Sequence, residues 1–196
     1  MVYIINIYKY ILHFMNFDTY FKNYNKYIFN LLNDFDTSLI GKSVSLINNC
    51  KKSDGKVYIV GNGGSSSMAS HVSVDFAKVA GVPSDTFNNA NLITCFANDY
   101  GHDNWVSEAI RAYTQKNDIL ILISSSGTSK NMINAARHCK NNNIPLITLS
   151  GFQNNNPLSE LGDVNIHVNS NNYNHIEMSH HIILVAIVDI FVQKLI

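Results

Sequence analysis

Hydrophobic and polar positions change rhythm along this chain. Short, nearly continuous apolar runs alternate with longer stretches in which apolar residues recur every three or four positions. The runs Lys56–Val60 (KVYIV), Ile119–Ile123 (ILILI), Leu146–Leu149 (LITL) and Val164–Val168 (VNIHV) read as strands, and Leu92–Phe96 (LITCF) reads as a fifth. Runs this short and apolar suit strands covered on both faces. Helical spacing fills the stretches around 65–79, 104–115 and 129–142, and a last helix spans roughly 175–195. Such alternation predicts an α/β fold: a three-layer αβα sandwich with a central parallel sheet of about five strands. Ligands are then expected at the carboxyl ends of the strands.

The N-terminal part has a different pattern. From Phe17 to Leu32, residues Phe21, Tyr24, Ile28, Leu31 and Leu32 recur at helical spacing, which predicts an amphipathic helix that packs on something. The preceding MVYIINIYKYILHFMNF is apolar, but a membrane span needs about 20 mostly apolar residues, and Asn6, Lys9, His13 and Asn16 interrupt this run. It has no basic leading region and no small-residue cleavage site, so it does not read as a signal peptide. Met15 is an alternative start that leaves residues 1–14 as a dispensable extension. The expected organisation is residues 1–16 as an extension or helix start, then a single domain over 17–196 that includes an N-terminal helical region.

Composition narrows the partners. With 46% hydrophobic residues in 196, the chain can bury a full core, which excludes general disorder. The 14 Lys and Arg balance 14 Asp and Glu. Zero net charge argues against broad binding to nucleic acid or an anionic membrane. Much of the polarity comes from Asn, Ser and Thr; neutral hydrogen-bonding groups suit sugars and their phosphates, and Asn richness equally reflects compositional bias. Cys50, Cys95 and Cys139 are odd in number and lack CxxC spacing. They read as buried free thiols of a cytoplasmic protein, neither a disulfide framework nor a zinc cluster nor a nucleophile.

Two loops carry candidate chemistry. After the first strand comes Gly61-Asn62-Gly63-Gly64-Ser65-Ser66-Ser67, then a helix. Glycines let a ligand approach the main chain, and a helix start offers N–H groups to an anion. After ILILI comes Ser124-Ser125-Ser126-Gly127-Thr128-Ser129, then the helix of Lys130–Asn142. Hydroxyls and backbone N–H groups together can surround a phosphate without an arginine. The alternative for any one serine is helix N-capping.

The ordered motifs resemble the SIS (sugar isomerase) domain family, nearest its phosphoheptose isomerase branch. They are GNGGS at Gly61–Ser65, MASH ending at Ala69–His71, Asn98-Asp99-Tyr100-Gly101, and Ile123–Ser129. The resemblance runs over most of the chain from about residue 17. It implies phosphate contacts from Ser124, Ser126 and Ser129 with Ser125 nearby, and sugar or backbone contacts at Asn62, Gly63, Gly64 and Ser65 and at Asn98 and Asp99. Thr128 replaces the family's usual Asn and keeps a hydrogen-bonding group. The resemblance also implies a homo-oligomer, dimer or tetramer, with sites at subunit interfaces.

Interconverting an aldose and a ketose phosphate moves a proton between adjacent carbons through an enediol. A base must remove it, and another group must stabilise the developing oxyanion. His71 and Asp75 are four apart and share a helix face; Glu177 and His181 do the same on the last helix. Two such helices meeting could form a His/carboxylate site for base catalysis or a divalent metal. In the family these positions carry His and Glu on the first helix, then Gln and, eight residues later, His on the last. They fall here on His71, Asp75, Glu177 and Val185. Asp shortens the reach by about one methylene, and a displacement of about 1 Å can cost ~100-fold in rate. Valine cannot ligate, so the four-ligand zinc site is absent as written. One repair uses His181 with Glu177, giving His71, Asp75, Glu177 and His181 as candidate metal ligands, while His180 faces a neighbouring subunit or solvent. The alternative is that both histidines only polarise or cap contacts around the site. His102 and His175 read as surface or loop histidines, and Tyr100 and Trp105 as packing residues.

Two functions follow. The first is a cytoplasmic phosphosugar isomerase, with His71, Asp75 and Glu177 transferring protons and the serine loop holding phosphate. The resemblance implies conversion of sedoheptulose 7-phosphate to a glycero-manno-heptose 7-phosphate for a bacterial surface polysaccharide, with one divalent metal such as zinc as candidate cofactor and no nucleotide. The second is a non-catalytic SIS module that senses a phosphosugar or bridges another protein, as a relative that binds the replication initiator does.

Overall fold

Apolar density decides which runs become strands. In the computed structural model, which describes residues 16–195, β1 (Val57–Gly61), β3 (Ile119–Ser124) and β4 (Leu146–Ser150) are buried at every position. The shorter β5 (Val164–His167) buries alternate residues. Ser84–Asp85 forms β2, and all five strands pair in parallel in the order β2-β1-β3-β4-β5. Central strands are apolar on both sides because helices cover both faces.

Side-chain alternation sorts the core into two layers. Tyr58, Val60, Leu120 and Leu122 meet Trp105, Ile110, Met132 and Ala136 on one face. That face is covered by α4 (Ala90–Tyr100), α5 (Trp105–Tyr113) and α6 (Lys130–Asn141). The opposite face is covered by α2 (Ser38–Lys52), α3 (Gly63–Lys78) and α7 (Tyr173–Val192). There Phe76 of α3 meets Phe191 of α7 edge-on at 6.0 Å. This is the expected three-layer sandwich. By length and composition α7 could cross a membrane, but eight of its residues are core, including Ile183, Leu184 and Ile187.

One expected strand is a helix. Leu92–Phe96 lies inside α4, where Leu92, Ile93, Phe96 and Ala97 pack on the core from one face. A five-residue apolar run does not distinguish the two states; the start signal does. Asn89 accepts a hydrogen bond from the N–H of Asn91 at 3.3 Å, and the Thr94 hydroxyl donates to the Ala90 carbonyl at 2.8 Å. Cys95, on the outer face of α4, is exposed, unlike the buried Cys50 and Cys139. Burial pushes those two thiols up to about 11 and about 12.

The chain divides into two compact units, Met1–Asp34 and Phe35–Ile196. In the first, α1 (Phe17–Asn33) is capped by Asn16, which accepts from the Thr19 N–H at 3.0 Å. The expectations for residues 1–15, the Met15 start among them, lie outside the described residues.

Strand order places the ligand crevice. From β1 the chain runs through α3 to β2 on one side, then returns through α4 and α5 to β3 on the other. The order reverses between β1 and β3, and the crevice opens at their carboxyl ends. Both candidate loops emerge there.

Candidate active site

The serine loop is shaped by its own hydroxyls and one left-handed glycine. Ser124 donates to Ser129 Oγ at 3.1 Å, and Thr128 Oγ1 donates to Ser126 Oγ at 2.9 Å. Gly127 has φ +66° and closes the turn with its N–H on the Ser124 carbonyl at 2.9 Å. Ser129 occupies the N-cap of α6, yet its side chain makes no capping bond. The hydroxyl of Ser125 is buried and has no hydrogen-bond partner. These hydroxyls bond to one another, and Ser129 leaves its capping position on the helix unused.

The glycine loop adjoins it through two amides. Asn62, the N-cap residue of α3, makes no capping bond. Its Nδ2 donates to Asn131 Oδ1 at 3.0 Å, and Asn131 Nδ2 donates back to Asn62 Oδ1 at 2.9 Å. This closed amide pair ties the loop after β1 to the helix after β3. Asn131, 1% exposed, is not recognisable from sequence because one Asn in a helical first turn carries no distinguishing signal. Gly63 and Gly64 are exposed and Ser65 is buried.

The candidate acid/base residues lie where α3 meets α7. His71 Nε2 lies 3.1 Å from Asp75 Oδ2, and His71 Nδ1 lies 2.8 Å from His181 Nε2. The rings meet edge to face with centroids 5.0 Å apart. A carboxylate accepts only, so Nε2 of His71 carries a proton; a neutral His71 then accepts from His181 Nε2–H. That leaves Nδ1 of His181 as the basic nitrogen of an Asp75–His71–His181 chain. Partial burial and the neighbouring His71 push the His181 pKa down, against a smaller opposite pull from Asp75. Glu177 reaches the glycine loop itself: a Cβ on Gly64 would stand 2.6 Å from its Oε2.

The neighbouring histidine behaves differently from expectation. His180 faces neither solvent nor another subunit but the sheet, with no exposure, and its Nε2 donates to the Ser150 carbonyl at 3.0 Å. One residue is a 100° step on a helix, enough to separate a core position from a surface position. Val185 is half-buried. Asn98 and Asp99 lie exposed at the end of α4; Asn98 Nδ2 donates to Asp99 Oδ1 at 2.9 Å. Their side-chain bonds are local and do not link them to the serine loop. Trp105 is buried, Tyr100 and His102 are exposed, and His175 is half-buried in the first turn of α7.

The metal set does not fit as placed. Two imidazole nitrogens on one tetrahedral zinc each sit ~2.0–2.1 Å from the ion and point at it. Here they point at each other across a hydrogen bond, and the other nitrogen of His71 is turned to Asp75. Among the described residues no group of three or more His, Cys, Asp or Glu is arranged to hold a metal ion.

Comparison with known proteins shows the family. The SIS domain family model matches residues 19–151. The chain belongs to the SIS domain family. A phosphoheptose isomerase of Histophilus somni (strain 2336) is 34% identical over 149 residues, covering 74% of each chain. Another, of Glaesserella parasuis serovar 5 (strain SH0165), is 32% identical over 148 residues, covering 70% of this chain and 77% of that one. These relatives group the chain with the phosphosugar isomerases. In fold it is similar to phosphoheptose isomerase GmhA from Neisseria gonorrhoeae, with a TM-score of 0.81 at 24% identity over 89% of this chain and 96% of that one.

Proposed function

We propose that this SIS-domain protein isomerises a seven-carbon sugar phosphate, converting sedoheptulose 7-phosphate to a glycero-manno-heptose 7-phosphate for a bacterial surface polysaccharide. The observation that carries this reading is the Asp75–His71–His181 chain between α3 and α7, with Glu177 of α7 against the glycine loop. The names of the relatives support the seven-carbon substrate.

In this reading the phosphate sits on Ser124, Ser126 and Ser129 and on the N–H groups of the α6 start, with Ser125 behind them. Phosphate binding fixes the far end of the sugar, so the carbonyl end reaches α3 and α7. His181 Nδ1 removes the proton from C1 of the ketose, and the electron pair moves into the C1–C2 bond to give the enediolate. Asp75 steadies the imidazolium through His71. Glu177 passes the hydroxyl proton between O1 and O2, and the imidazolium returns its proton to C2. Asn98 and Asp99 contact the sugar when a second subunit covers the cleft. Exposed Val74, Met178 and Ile182 on α3 and α7 support a homo-oligomer, dimer or tetramer, built over this face. Free thiols at Cys50, Cys95 and Cys139 support a cytoplasmic setting.

Val185, in place of the family's last-helix histidine, favours a second reading: a phosphosugar-binding regulator without turnover. Purified protein given sedoheptulose 7-phosphate decides between them. The isomerase reading expects the aldose product, and His181→Ala to slow turnover by about 100-fold. Stabilisation by the sugar phosphate with no turnover would leave only the binding module.

A further inference from the structure

A buried asparagine outside every motif sits against the serine loop. Asn156, 2% exposed, belongs to the turn between β4 and β5. Its Nδ2 faces the carbonyls of Gln153 at 2.8 Å and Gly151 at 3.3 Å, and Ser150 Oγ at 3.0 Å. Its Oδ1 accepts from the Ser159 N–H at 3.0 Å. Within the loop, the space a Cβ on Gly127 would need is filled by the Asn156 side chain itself. The contact continues through backbone: Leu158 N–H donates to the Gly127 carbonyl at 3.1 Å, and Gly151 N–H donates to the Ser125 carbonyl at 2.9 Å.

We propose that Asn156 is the positioning residue of the phosphate cradle, touching no ligand atom but setting the path of Ser125–Gly127. The loop is held from behind at two carbonyls, Ser125 and Gly127, and both donors flank the turn that Asn156 organises. The amide satisfies acceptors on the β4 end and on its own turn together, so it fixes one relative to the other. The glycine at 127 accommodates both the left-handed backbone and the Asn156 side chain. Removing the amide leaves a void beneath the turn and unpaired buried acceptors, which frees the serine hydroxyls from their converging geometry.

This inference rests on the serine loop being a phosphate site, and the test separates the two. The full chain and its Asn156→Ala variant are titrated calorimetrically with inorganic phosphate. The expected result is a dissociation constant about tenfold weaker in the variant, with unchanged stoichiometry. A purely structural role would instead lower the folded, binding-competent fraction and leave the constant of the remainder alone. With sugar phosphate as substrate, KM rises and kcat stays within about threefold. Should Asn156→Ala not fold, Asn156→Ser, which keeps one small polar group, is read the same way. A variant constant within about twofold of wild type overturns the positioning role. A wild-type chain that binds no phosphate overturns the cradle itself, and this proposal with it.

Discussion

His180 and His181 are consecutive, of one chemical type, and have opposite fates. His181 stays near the surface against His71, whereas His180 is turned into the sheet with its Nε2 on the Ser150 carbonyl. Burial pushes the His180 pKa down to about 4; the bond to Ser150 opposes this, and nearby His167 adds to it. A histidine whose folded pKa lies below its unfolded value of ~6.5 binds its proton more readily in the unfolded chain. Stability therefore falls as pH drops from about 6.5 to about 4 and levels off below, where both states are protonated. The size is on the order of 3 kcal/mol, since each tenfold loss of proton affinity on folding corresponds to ~1.4 kcal/mol. His180→Gln keeps a donor for Ser150 and removes the titration. Urea midpoints of this variant are expected to change less across that window than those of wild type. Parallel profiles would assign the acid sensitivity to other groups.

At the scale of elements, the site is a meeting of loops and helices, and Gly64 is one close point of that meeting. The Glu177 carboxylate lies where a side chain at 64 would begin. Gly64→Ala is therefore expected to push Glu177 off the glycine loop, lowering kcat by about 100-fold. The melting temperature should move little, because position 64 is exposed in the first turn of α3. Wild-type turnover in that variant would show that Glu177 does not act from this position. The same elements show what was legible in the sequence. Runs as apolar as ILILI announce buried strands, and the ends of α3, α5 and α6 fall within two residues of the helical patterns. The four-residue spacing of His71 and Asp75 carried over into a contact. By contrast β2 has only two residues, too few to form a pattern, and LITCF satisfies strand and helix alike until Asn89 starts a helix. Asn131 and Asn156 were illegible because their roles depend on partners 69 residues away, or on a glycine in another loop.

At the scale of the whole molecule, a chain with 14 cationic and 14 anionic side chains must hold a dianionic group without a general positive field. The proposed cradle would do so with serine hydroxyls and a helix start, and the adjoining Lys130 is exposed and directed to Asp103 at 3.5 Å. An exposed pair of this kind contributes ~0–1 kcal/mol. Hydroxyl and amide donors act at contact distance, where mobile ions intervene little. Long-range attraction between exposed charges is instead screened beyond about 10 Å at 0.1 M salt. Raising NaCl from about 50 to about 500 mM is therefore expected to weaken sugar-phosphate binding by less than about threefold. Lys130→Ala should change affinity by a similarly small factor. Fluorescence or calorimetric titration in the two salts measures this directly. A drop of tenfold or more, abolished in Lys130→Ala, would move the recognition from the hydroxyl cradle to that lysine.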